Sequence, residues 1–173
     1  MIKIKEMMLR YVILLLLAFS NLYLFYLVFT PLTLYPVFFL INLFFDAFLY
    51  SNIITFNGIS IEIIGACVAG SAYYLLLILN LSTPEIKPSK RIKMIALSFL
   101  IFLLLNILRI FFLSFLVLNN NFYFDLIHQF FWYFLSTIFV VLIWFGEVKL
   151  FKIKNIPIYT DIKFLLNKIS NKK

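Results

Sequence analysis

The chain has 173 residues, of which 65% are hydrophobic and only 13% charged. A soluble domain carries about 25% charged residues, so the composition reads as an all-α polytopic integral membrane protein. The length holds four or five spans of about 20 residues and leaves no room for a large soluble domain. A net charge of +8 looks like a nucleic-acid footprint, but fourteen of the fifteen basic residues lie in three clusters that flank apolar segments. That is the pattern of cytoplasmic anchoring, and no nucleic acid is expected as a partner. One cysteine excludes an internal disulfide and a Cys-rich metal centre, and one histidine argues against zinc. Neither a metal nor a cofactor is therefore expected.

In chain order, residues 9–29 read as a first span behind the basic residues Lys3, Lys5 and Arg10. Residues 31–50 are apolar but contain Pro31, Pro36, Asn42 and Asp46, and read as an interfacial or re-entrant helix. Residues 53–63 alternate around Asn57-Gly58, a dipeptide suited to a type I′ turn, and predict a small external β-hairpin. Spans follow at 64–81, 94–118 and 126–146, with the Lys87, Lys90, Arg91 and Lys93 cluster between the first two of these. Residues 1–146 thus form one membrane-embedded domain, and 147–173 form a basic cytoplasmic tail with a short surface helix near 161–169.

Parity sets the orientation. If the basic N-terminus, the 87–93 loop and the tail are all inside, the chain crosses four times and 31–50 does not fully cross. If the N-terminus is outside, 31–50 becomes a fifth span. The positive-inside bias favours four. Residues 51–63 then face outward in the plasma membrane of the cell.

The one cysteine, the one histidine and the only arginine inside an apolar segment converge on that outward level. Cys67 sits in the small-residue run Gly65-Ala66-Cys67-Val68-Ala69-Gly70-Ser71-Ala72, where Ala66 and Gly70 have the spacing that lets another backbone approach closely. A substrate helix and this protein's own packing both fit such a strip, and Gly70 and Ser71 are its substrate-binding candidates. Arg109 lies nine residues before Leu118, about 13 Å along the helix. A cation at that depth costs roughly 2.5–3.5 kcal/mol and needs a partner or a wet cavity. Asn106 precedes it by three positions and shares its face. An ion pair with Asp46 or Asp125 is the structural alternative. His128 opens the last span three residues after Asp125, which either caps that helix or orients the imidazole. Thiol, imidazole and guanidinium supply a nucleophile, an acid/base and an oxyanion stabiliser, so Cys67, His128 and Arg109 are the catalytic candidates, supported by Asn106 and Asp125.

With those residues on the page, the chain resembles the exosortase/archaeosortase family, in a short, archaeosortase-like form. The stretches that carry the likeness are Gly58-Ile59-Ser60-Ile61-Glu62-Ile63 leading into Ala66-Cys67-Val68-Ala69-Gly70, then Asn106-Ile107-Leu108-Arg109, then His128. They resemble the family's Cys-x-x-Gly, Asn-x-x-Arg and outer-face His segments, with Val68 where Thr or Ser is usual. The resemblance implies a membrane cysteine transpeptidase or protease that cleaves C-terminal transmembrane sorting signals of secreted proteins. It implies transfer of the new C-terminus to another anchor, a membrane lipid in archaeal cases. Two alternatives stay open: a non-enzymatic polytopic scaffold or transporter subunit, and a lipid-modifying transferase that uses His128 and Asp125 and ignores the thiol.

Overall fold

A computed structural model describes residues 4–119 and 122–170, and for 125, 132, 133, 169 and 170 the backbone alone. The chain is mostly helical. Helices α1 (Ile4–Phe19) and α2 (Tyr23–Asn42) precede strands β1 (Ala47–Tyr50), β2 (Ile53–Phe56) and β3 (Ile59–Glu62). The four-residue turn α3 (Gly65–Val68), α4 (Gly70–Leu81) and α5 (Pro88–Leu118) follow. Next come α6 (Phe124–Phe130), a π-helical segment (Phe131–Leu135), α7 (Ser136–Leu150) and α8 (Tyr159–Ser170). Two helices, α2 and α5, are long and apolar enough to cross a membrane.

Ring contacts and hydrogen bonds give the helix directions. Phe29 meets Phe99 at 5.5 Å between centroids while Phe44 meets Phe111 at 5.7 Å, so α2 runs alongside α5 in the same sense. The other two neighbours of α5 run against it. Tyr73 packs on Phe99 and Phe102, whereas Asn106 reaches the Cys67 carbonyl. Arg109 bonds Ser136 of α7 at one end, and Lys90 bonds the Phe151 carbonyl at the other. The bundle therefore has a thiol end, where Cys67 lies, and a basic end, where Lys90, Arg91 and Lys149 gather. Its core is aromatic: Phe29 stacks on Tyr73 at 3.6 Å, with Phe99 and Phe102 edge-on around them.

The first 42 residues differ from the sequence expectation. The helix break falls at Asn21 and Leu22, both left-handed with φ of 50° and 57°, and not near Pro31. Asparagine adopts this conformation readily, and the Asn21 N–H closes onto the Ala18 carbonyl. Pro31 and Pro36 lie inside α2. Proline is tolerated there because an apolar helix packed among neighbours keeps its remaining ladder bonds. No separate helix over 31–50 forms: 31–42 continue α2, and 47–50 become β1. Arg10 of α1 bonds the Leu81 carbonyl, and Tyr74 Oη donates to the Leu14 carbonyl. Together α1 and α2 thus make one broken climb from the basic end to the thiol end.

The hairpin forms with the predicted turn. Asn57 and Gly58 both have positive φ, 46° and 77°, which a two-residue type I′ connection requires. β2 and β3 pair Ile54 with Ile61 and Phe56 with Ile59, and β1 adds a third antiparallel strand on the far side of β2. The sheet buries Ile54 and Phe56. Phe45 bridges Phe56 to Phe115, which seats the sheet on the thiol end of α5. This position carries β3 directly into the cysteine segment.

The C-terminal helix is tied back to the bundle. Arg10 Nη2 lies 3.0 Å from both carboxylate oxygens of Asp161, and Tyr11 Oη lies 3.1 Å from one of them. Arg10 is thus a buried structural cation, not a free anchoring charge.

Candidate functional site

The predicted span over 64–81 is interrupted. Ala69 is left-handed with φ of 58°, and it separates α3 from α4. In an unbroken helix, the carbonyls of Cys67 and Val68 would accept from the amides four residues on. The break instead sends the Ala72 N–H to the Ala69 carbonyl at 2.9 Å. A buried carbonyl without a donor is costly, and α5 supplies the donors. Asn106 Nδ2 lies 2.9 Å from the Cys67 oxygen and 3.4 Å from that of Val68. Arg109 Nη2 adds a bond to the Cys67 oxygen at 3.2 Å. One helical turn of α5, Asn106 to Arg109, therefore caps the strained turn that presents the thiol.

Arg109 is only 7% exposed, yet it meets no carboxylate among the described side chains. Its other contact is Nη1 to Ser136 Oγ at 2.8 Å, and its Nε is buried without a partner. The expected alternative of an ion pair with Asp46 is not formed. The Asp125 side chain lies outside the described residues, so its roles as cap, orienter or ion-pair partner are left there. Ser136 owes its place to the π-helical segment just before it, whose extra residue per turn resets the face that α7 turns toward α5.

Cys67, Arg109 and His128 line one cavity of about 180 Å³. Its remaining wall is mostly apolar, from Ile63, Ile64, Ile110 and Leu113, with Glu62 and Ser114 as the other polar members. The Cys67 thiol is half-buried and points to the Glu62 carbonyl, with sulfur to oxygen at 4.0 Å. His128 is exposed, and its ring stacks on Phe124 one turn earlier at 5.5 Å. The cavity can thus offer a thiol, an imidazole and a fixed positive charge to a peptide carbonyl at the thiol end. Among the described residues, no group of three His, Cys, Asp or Glu side chains could hold a metal.

The two substrate-binding candidates separate. Gly70 is closed by this protein's own Tyr26: a Cβ there would meet the Tyr26 ring at 2.9 Å. The small-residue strip is in that part a helix-packing device, because Tyr26 of α2 fills it. Ser71 is open. It lines a second cavity, about 420 Å³, with Tyr26, Ala66, Ser136 and Thr137. Ser136 was missed from sequence, and a lone serine in an apolar span carries no signal that it holds an arginine.

Comparison with known proteins returns nothing: no family model, no curated protein and no solved structure matches this chain.

Proposed function

We propose that this chain is a multi-pass plasma-membrane cysteine peptidase or transpeptidase acting on C-terminal transmembrane sorting signals of secreted proteins. The observation that carries the reading is that the unique cysteine, the unique histidine and a buried arginine, which meets no carboxylate among the described side chains, line a single cavity. The membrane setting is supported by α5, which turns Leu100, Leu104, Leu108 and Phe112 outward at half exposure or more. A continuous apolar stripe of that size suits lipid and not water. The α1–α2 climb, α3–α4, α5 and α6–α7 then make four crossings, with both termini inside and the thiol end outside.

In the reaction, the Cys67 sulfur attacks the peptide carbonyl and its proton passes to His128. The charge developing on the carbonyl oxygen is stabilised by the fixed guanidinium of Arg109. His128 gives the proton to the departing amine as the C–N bond breaks. The resulting thioester is resolved by an acceptor nucleophile, most simply a membrane lipid, or by water. Arg109 also holds the Cys67 carbonyl, so the same side chain positions the nucleophile it assists. The capping bonds of Asn106 and Arg109 equally suit a scaffold with no chemistry, and the thiol separates the two readings. Cys67→Ala should leave the fold intact and abolish processing, a loss on the order of a million-fold as for other acyl-transfer nucleophiles. The readout is the mass of secreted proteins bearing a C-terminal membrane helix, in cells with the wild-type or variant chain. Unchanged processing in the variant would favour the scaffold.

A further inference from the structure

Helix α8 has a hydrophobic face that no described residue covers. Its first turn is firmly held, because Asp161 is 2% exposed and bonded to Arg10 and Tyr11. The Ile158 N–H adds a bond to the Ser82 carbonyl at 3.1 Å. Beyond that turn no element packs extensively against it. Residues advance by about 100° each around a helix, so Ile162, Leu165 and Leu166 share a face a quarter turn from Asp161. Ile162 and Leu166 are 49% and 61% exposed, and Ile158 and Tyr159 continue the same stripe. Lys163, Asn167 and Lys168 lie elsewhere on the circumference, with Asp161 and the half-buried Phe164 between them, and Lys149, Lys152 and Lys154 are exposed just upstream. A 12-residue helix of modest propensity is marginal alone in water and needs a surface for its apolar stripe.

We propose that α8 lies in the plane of the membrane at the basic end of the bundle, docked on an anionic lipid surface. The stripe enters the headgroup–acyl boundary, the lysines meet the lipid phosphates, and the Arg10–Asp161 pair fixes the helix to the bundle. Charge complementarity selects this occupant: Asp161 is the only acidic residue of α8, and Arg10 neutralises it. The depth expected of such a helix is about 5–10 Å into the boundary. The inference rests on the membrane setting proposed above but not on the cysteine chemistry.

The test uses the full chain with Cys67→Ser, carrying single labelling sites Ile162→Cys, Leu166→Cys, Lys163→Cys and, in α5, Leu104→Cys. Each is spin-labelled and reconstituted in phosphatidylcholine vesicles with or without phosphatidylglycerol, and accessibility to oxygen and to a water-soluble nickel complex is compared. In the anionic vesicles, labels at 162 and 166 should gain oxygen contact and lose nickel contact several-fold relative to 163. They should return toward water in phosphatidylcholine alone. Labels at 162 and 166 that stay aqueous in both vesicles, with Leu104→Cys in lipid, would overturn the proposal and spare the membrane reading. Dipolar broadening between labels at 162 would overturn it in favour of a second copy. Equal insertion in both vesicles would overturn the anionic assignment. A water-exposed label at 104 would sink the membrane reading itself.

Discussion

Arg10 and Arg109 are buried to nearly the same degree, 9% and 7% exposed, but the two ends of the bundle treat them differently. At the basic end, Arg10 meets both oxygens of Asp161 and the Leu81 carbonyl, and Arg91 donates to the Asn80 and Thr83 carbonyls beside it. At the thiol end, among the described side chains, Arg109 meets one hydroxyl and one carbonyl, keeps a buried Nε without a partner, and borders a cavity. A paired charge holds elements together. On the proposed reading, a charge with a spare donor beside the thiol is placed for the negative charge that develops on a bound substrate. Burial alone therefore does not distinguish the two arginines, whereas their described partners do.

The largest effect is expected at Arg10. Arg10→Ala leaves the Asp161 carboxylate buried without its cation and should cost about 3–5 kcal/mol, read as thermal unfolding in detergent. Arg10→Met with Asp161→Leu should recover most of that loss, because the pair would then be replaced by apolar packing. If the double variant is as unstable as the single one, the ion pair is not the tie. At Arg109 the effect should fall on activity. Arg109→Lys keeps the charge but loses the fork that reaches Ser136 and the Cys67 carbonyl together. Processing should drop by about 10²–10³-fold with little change in unfolding temperature. A large stability loss with processing retained would make Arg109 a second Arg10. The smallest effect concerns packing. Gly70→Ala drives a methyl into the Tyr26 ring and should cost about 1–3 kcal/mol, relieved by Tyr26→Ala. No cost would mean that the strip at Gly70 is open to a substrate after all.

What could be read from the residues was what local chemistry dictates. Asn57-Gly58 announced its turn because few residues accept two successive positive φ values. Asn106 and Arg109 announced a shared purpose because i and i+3 positions face one way on a helix. The break at Ala69 has no such signature: alanine is a poor left-handed residue, and the conformation persists there because α5 caps the carbonyls it frees. Leu22 is likewise left-handed with no local signature. The Arg10–Asp161 bond links residues 151 apart, and no local pattern encodes it, so Arg10 read as an anchoring charge and the C-terminal region as a tail. Ser136 depends on a π-helical segment whose residues are ordinary apolar ones.

The central claim is that Cys67 is an open nucleophile at the outward, thiol end of a membrane bundle. Labelling with a membrane-impermeant maleimide in sealed, right-side-out vesicles tests it, since Cys67 is the only thiol in the chain. Rapid labelling of the wild-type chain from outside is expected, and none in Cys67→Ala. A thiol that stays unlabelled until detergent dissolves the bilayer would contradict it.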